Sequence, residues 1–309
     1  TSLSKPIGAA LAMILVEECL LRLDDPIERL LPELANRQVM TSLDGPLDQT
    51  VPANRPITLR DLLTFRLGLG LHFTPAGLGP INLAMNQLEL GQGAPSPQAA
   101  PGQDEWLRRL GTLPLAHQPG ERWMYNTGAD LLGPLISRAA GQPLEIVLKE
   151  RLLDPLGMKD TSFSVPANKL DRFTTSYGTD WQTGQRVVFD EAAGGQWTTS
   201  PAFPSLAGGL ASTIDDYLAF ARLLLNGGTH EGKQILSRAS VELMTMDHLT
   251  PAQKAISRLL PRLLARRRLS LRRLTRRTVT PSPRGGGRAS VPSTPKNKDR
   301  RLRASSRSG

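Results

Sequence analysis

Residues 5–23, KPIGAALAMILVEECLLRL, carry apolar side chains on nearly every face of a 3.6-residue spiral, which predicts a helix buried on most sides. Asp24-Asp25-Pro26 closes it, because the residue before a proline is driven out of helical geometry. Thr58-Leu59-Arg60-Asp61 has the form of a capping box with Asp in place of Glu, and predicts a second helix beginning there. Residues 75–103 are rich in Gly, Pro and Gln and read as a long loop with one helical turn. Helices are predicted over 104–111, 128–140 and 144–153, the last two separated by Gly141-Gln142-Pro143. Strand-like alternation is scarce and is best over 171–178 and 185–190, a hairpin around Thr183-Gly184. Residues 215–225 are amphipathic and stop at Asn226-Gly227-Gly228, and 236–248 form another helix.

Charge divides the chain. From residue 251 onward there are 18 lysines and arginines against one acid, Asp299, a net +17. The preceding residues carry −7, and all fourteen aromatic residues lie among them. A body over 1–254 is therefore joined to a basic segment over 255–309 that cannot bury enough apolar surface to offset chain entropy. Disorder is expected there, with a short helix over 253–276 as the alternative. The switch to Arg, Pro, Ser and Gly is also what a GC-rich coding sequence read in a shifted frame would produce. No stretch reaches the ~18–20 uninterrupted apolar residues of a membrane span. No basic segment precedes an apolar run, so no leader is read, and the compartment stays open between cytoplasm and periplasm. The start at Thr1 suggests a processed or incomplete N-terminus. Cys19, the one cysteine, is expected to pack inside the first helix.

Candidate chemistry begins at Ser2-Leu3-Ser4-Lys5. A serine hydroxyl needs a neighbouring base to act as a nucleophile, and an i,i+3 pair at a helix start places both side chains on one face. That spacing alone is common, and an N-cap serine followed by a surface lysine is the ordinary explanation. The surroundings change the weighing. The apolar helix, Leu23-Asp24-Asp25-Pro26 and Leu31-Pro32-Glu33-Leu34 follow the tetrad. Further along come Ile57-Thr58-Leu59-Arg60-Asp61-Leu62-Leu63-Thr64, then Pro119-Gly120-Glu121-Arg122-Trp123-Met124-Tyr125-Asn126-Thr127-Gly128-Ala129-Asp130-Leu131-Leu132-Gly133. Pro155-Leu156-Gly157-Met158-Lys159-Asp160-Thr161 and Gly208-Gly209-Leu210-Ala211-Ser212-Thr213 complete the series. In this order the segments resemble the serine β-lactamase and penicillin-binding-protein superfamily over residues 1 to about 254, nearest the branch of family VIII esterases.

The resemblance implies an α/β (α+β) fold of β-lactamase/transpeptidase type, a helical domain beside an antiparallel sheet with the active site between them. It implies Ser2 as nucleophile, Lys5 as its activator and Tyr125 as the group that takes and returns the serine proton. Asn126 stands one place too early for Tyr-x-Asn, which favours an esterase over a classical β-lactamase. The third motif of the family, Lys-Thr-Gly, His-x-Gly or Trp-x-Gly on a late strand, has no counterpart: His230-Glu231-Gly232 matches in letters but reads as a surface turn. The sheet strands of the family, before the serine and after residue 254, are likewise expected to be missing, which predicts low stability and little activity for this polypeptide.

The implied substrate is a small ester, a β-lactam or a D-alanyl peptide, with no cofactor, no metal and no specific nucleic-acid partner. His72, His117, His230 and His248 show no metal spacing, and Gly-x-Ser-x-Gly does not occur. Two other readings stand beside the hydrolase: a non-catalytic family relative, and a binding protein whose basic segment contacts nucleic acid or anionic surfaces.

Overall fold

The computed structural model describes residues 2–257 apart from positions 72, 75, 76, 92 and 181. Helix α1 (Ser4–Glu17) is the central element, with Ala10, Leu11, Ala12 and Leu15 at zero exposure. It stops six residues before position 23. Glu18 N–H bonds back to Ile14 C=O, Leu20 and Leu21 N–H both reach Leu15 C=O, and Cys19 adopts a left-handed φ of 61°. The acidic pair Glu17-Glu18 sits where the helix dipole disfavours negative charge, with no basic residue in the last turn, while Leu21 folds back into the core. Cys19 is consequently exposed in the turn rather than packed in a helix. The Glu17 carboxylate is put to use elsewhere, accepting from Ser237 N–H at 2.8 Å and Ser240 Oγ at 2.5 Å.

Strands β1 (Gln38–Met40) and β2 (Thr50–Pro52) pair antiparallel through Val39 and Val51. Helix α2 (Leu59–Leu63) starts at the capping box read from the sequence: Asp61 N–H donates to Thr58 Oγ1 and Thr58 N–H donates to the Asp61 carboxylate. The stretch expected to be loop from 75 to 103 is more ordered than its composition suggested. It holds β4 (Gly77–Leu78), paired with β3 (Phe73–Thr74), and the eight-residue α3 (Pro80–Gln87). Pro80 at the first helical position and the buried i,i+4 pair Ile81 and Met85 account for that helix.

Helices α4 (Gln103–Gly111) and α5 (Thr127–Ala140) follow the predicted spans to within a residue. The span 144–153 divides into α6 (Leu144–Leu148) and a π-type turn over Lys149–Leu153, before the short α7 (Asp154–Leu156). The predicted hairpin is present as β5 (Ser176–Thr179) with β6 (Arg186–Asp190); residues 171 and 172 belong instead to a 3-10 turn. Helix α8 (Ile214–Leu225) is capped by Thr213 and ends at Asn226. Strands β7 (Thr229–His230) and β8 (Lys233–Gln234) are joined through Glu231 and Gly232, both at positive φ, so His230-Glu231-Gly232 is the turn it was read to be. Helix α9 (Arg238–Thr245) is shorter than 236–248 because Met246 is extended, and α10 (Pro251–Ser257) closes the described chain.

Packing of α1 against α5 and α9 places the core around the serine helix. Among the described residues the named strands form two-stranded antiparallel sheets, and Leu115 adds an isolated parallel bridge to Val39. The expectations of disorder, a helix to 276 or a nucleic-acid contact concern a segment that, from 258 to 309, lies outside the described residues. No described helix is long and apolar enough to cross a membrane.

Candidate active site

Ser2 occupies an exposed turn just before α1, and Lys5 lies one turn on, buried to 9% exposure. Lys5 N–H bonds to Ser2 C=O at 3.2 Å, which folds the two side chains onto one side. Lys5 Nζ then donates to Ser2 Oγ at 3.3 Å and to Ala207 C=O at 2.5 Å. The carbonyl can approach because residue 8 is glycine. A Cβ there would stand 2.9 Å from Leu206 Cβ and push the 203–210 segment off the helix. Leu210 N–H, bonded to Ser4 Oγ at 3.2 Å, pins the same segment.

Tyr125 arrives from the stretch ahead of α5. Its C=O accepts from Leu71 N–H at 3.0 Å, and a Cβ on Gly70 would lie 2.6 Å from that oxygen. Phe65 and Trp123 flank the phenol ring, each with its centroid 5.9 Å away. Thus held, Tyr125 Oη lies 2.6 Å from Ser2 Oγ, and Lys5 Nζ stands 4.5 Å from the ring centroid. The three residues singled out by sequence are brought together. Burial raises the Tyr125 pKa, but the hydrogen bonds with Ser2 and Lys5 and the Lys5 charge outweigh it and leave the phenol below its ordinary value.

Asn126, directly after Tyr125, adopts φ 92° and ψ −67°, a sparsely populated region that costs roughly 1–3 kcal/mol. Its Nδ2 donates to Asp130 Oδ2 at 3.1 Å, and Ser205 Oγ donates to Asp130 Oδ1 at 2.6 Å. Burial pushes the Asp130 carboxyl up to about 7, against the opposing pull of the Ser205 hydrogen bond and the Lys5 charge. Sequence reading passed over Asp130. The one available signal was an acid in the first turn of a helix, a position that ordinarily answers the helix dipole.

These groups open into a cavity of about 620 Å³. Its apolar wall includes Leu71, Leu90, Pro97, Ala100, Trp106 and Phe203, with Trp106 and Phe203 stacked at 4.7 Å. Of the described residues lining it, Lys5 is the one cation, beside the acids Glu89 and Asp130, and Glu89 is paired with Arg109 at 2.7 Å.

The family model described as Beta-lactamase matches residues 1–256. Protein Rv1367c of Mycobacterium tuberculosis is 44% identical over 253 residues, covering 82% of this chain and 60% of its own length. Lovastatin esterase of Penicillium rubens is 30% identical over 270 residues, covering 83% of this chain and 61% of its own. Among solved structures, the chain is similar to EstCE1, a hydrolase with promiscuous acyltransferase activity, at TM-score 0.63 and 25% identity. That match covers 82% of this chain and 64% of EstCE1. The fold is therefore of the β-lactamase/transpeptidase type, and the chain spans about 60% of the length of these two curated relatives.

Proposed function

The chain belongs to the beta-lactamase family, and from that membership we propose that it is a serine hydrolase working through an acyl-enzyme on Ser2. The observation that carries this reading is the Ser2 hydroxyl held at once by Tyr125 Oη at 2.6 Å and Lys5 Nζ at 3.3 Å. Tyr125, as phenolate beside the Lys5 charge, takes the Ser2 proton while Oγ bonds to the substrate carbonyl carbon. The tetrahedral intermediate collapses with cleavage of the bond to the leaving group, which receives the proton from Tyr125. Water then attacks the acyl-enzyme, Tyr125 takes its proton, and Ser2 recovers it as the acid departs.

An ester is the substrate class we place first. A β-lactam or D-alanyl peptide brings a carboxylate that a cation must meet. Lys5, the cation among the described lining residues, is already committed to Ser2 and Ala207. The apolar wall suits a neutral acyl group instead. Ser2 N–H supplies one oxyanion donor. The family's third motif, which would supply the other, is not found in this sequence.

The test compares p-nitrophenyl butyrate with nitrocefin for this chain and for Ser2→Ala. The reading expects ester turnover or a burst, lost in Ser2→Ala, with nitrocefin the poorer substrate. Turnover unchanged in Ser2→Ala would refute the nucleophile.

A further inference from the structure

We propose that Asp130 is a positioning residue for the Lys5–Tyr125 pair, tying the segment that aims the phenol to the segment that holds the amine. The proposal rests on the reading of Ser2, Lys5 and Tyr125 given above and adds a fourth group to it. One carboxyl oxygen faces Tyr125: Oδ2 accepts from Asn126 Nδ2 at 3.1 Å, and Asn126 is the residue at φ 92° whose backbone turn directs Tyr125 toward Ser2. The other faces Lys5: Oδ1 accepts from Ser205 Oγ at 2.6 Å, and Ser205 Oγ in turn accepts from Ala207 N–H at 3.0 Å. Ala207 is the residue whose C=O accepts from Lys5 Nζ at 2.5 Å.

A helix-terminal acid that merely answers the dipole would sit in water. Asp130 is 6% exposed, and it lines the same cavity as Ser2, Lys5 and Tyr125. Taking a carboxyl out of water is costly unless hydrogen bonds compensate it, and those it has lead to the two groups that must meet at Ser2. Each bond on its own is ordinary. Their convergence on one carboxyl is what fixes the distance between two segments far apart in sequence. The charged group acting on Asp130 is Lys5, and its hydrogen-bonding neighbours are Asn126 and Ser205.

The test reads Tyr125 directly. The chain has three tyrosines, so its phenol can be titrated by tyrosinate absorbance, with Tyr125→Phe as the blank. Asp130→Leu removes both bonds and keeps the volume filled, whereas Asp130→Asn keeps the shape, an oxygen that accepts from Asn126 Nδ2, and an NH2 group that can donate to Ser205 Oγ in place of the bond the carboxylate accepted. Ser205→Ala cuts the Lys5 branch alone and serves if Asp130→Leu does not fold. The proposal expects Asp130→Leu and Ser205→Ala to raise the Tyr125 midpoint toward the ordinary tyrosine value of about 10. It also expects Ser2 labelling by a neutral fluorophosphonate to slow about tenfold or more, the scale of a lost positioning contact. Asp130→Asn should keep the lowered midpoint and most of the labelling rate. A Tyr125 midpoint unmoved in both disrupting variants overturns the proposal, as does Asp130→Asn behaving like Asp130→Leu. If wild-type Ser2 is not labelled at all, the nucleophile reading fails, while the tyrosine titration still decides the role of Asp130.

Discussion

Tyr125 Oη and Ser2 Oγ lie 2.6 Å apart although 123 positions separate them in the chain. Neither element brings this about alone. Gly8 lets the 203–210 segment close on the serine helix, and Gly70 lets a neighbouring strand of backbone lie against the Tyr125 carbonyl.

Lys5 lowers the Tyr125 pKa through a hydrogen bond and its charge, against the opposing effect of burial. The base form of the phenol therefore becomes available below the ordinary tyrosine value, and Ser2 acylation should rise with pH with a midpoint below about 10. In Lys5→Ala the midpoint of that rise moves upward. The rate at pH 7 should fall by about tenfold for each pH unit that the midpoint moves, because the phenolate fraction falls with it. A pH series of fluorophosphonate labelling on both proteins measures this, and an unchanged midpoint in Lys5→Ala would count against it.

Asp130 is an acid whose folded pKa is raised, to about 7, from 3.8. Between those values the folded state binds more protons than the unfolded chain, so stability is fully present below about pH 4 and declines as pH rises through 7. Asp130→Asn has no such titration. Urea unfolding at pH 5 and pH 8 should therefore show the wild type losing stability relative to Asp130→Asn, by a few kcal/mol at most. Parallel behaviour of the two proteins would contradict the burial of an ionisable group at this position.

Gly70→Ala places a methyl group 2.6 Å from the Tyr125 carbonyl oxygen and 2.8 Å from Met124 C, both of them backbone. Something must shift, and the expected cost is about 1–3 kcal/mol of stability. The sharper signature is functional: Ser2 labelling should drop more than tenfold even at temperatures where the variant is folded by circular dichroism. Labelling at the wild-type rate would show that Tyr125 tolerates displacement.

What the sequence made legible was local or carried by ordered motifs. The Thr58–Asp61 capping box needs only four consecutive residues, and it formed as written. Ser2, Lys5 and Tyr125 were singled out because the segments around them resemble a family, not because Ser-x-x-Lys is informative. The end of α1 was missed because it depends on Leu21 turning back into the core and on a left-handed Cys19, neither visible in an apolar run. Helix α3 was obscured by the glycines and prolines on either side of Ile81 and Met85. Asp130 was overlooked because its partner Ser205 is 75 positions away, and burial of an acid is a tertiary property.

The central claim is that Ser2 becomes covalently acylated. Intact-mass and peptide-level mass spectrometry after incubation with p-nitrophenyl butyrate or a neutral fluorophosphonate measures it directly. The account predicts a single adduct on Ser2, strongly reduced in Tyr125→Phe and absent in Ser2→Ala. An adduct on another residue, or one that persists undiminished in Ser2→Ala, would contradict it.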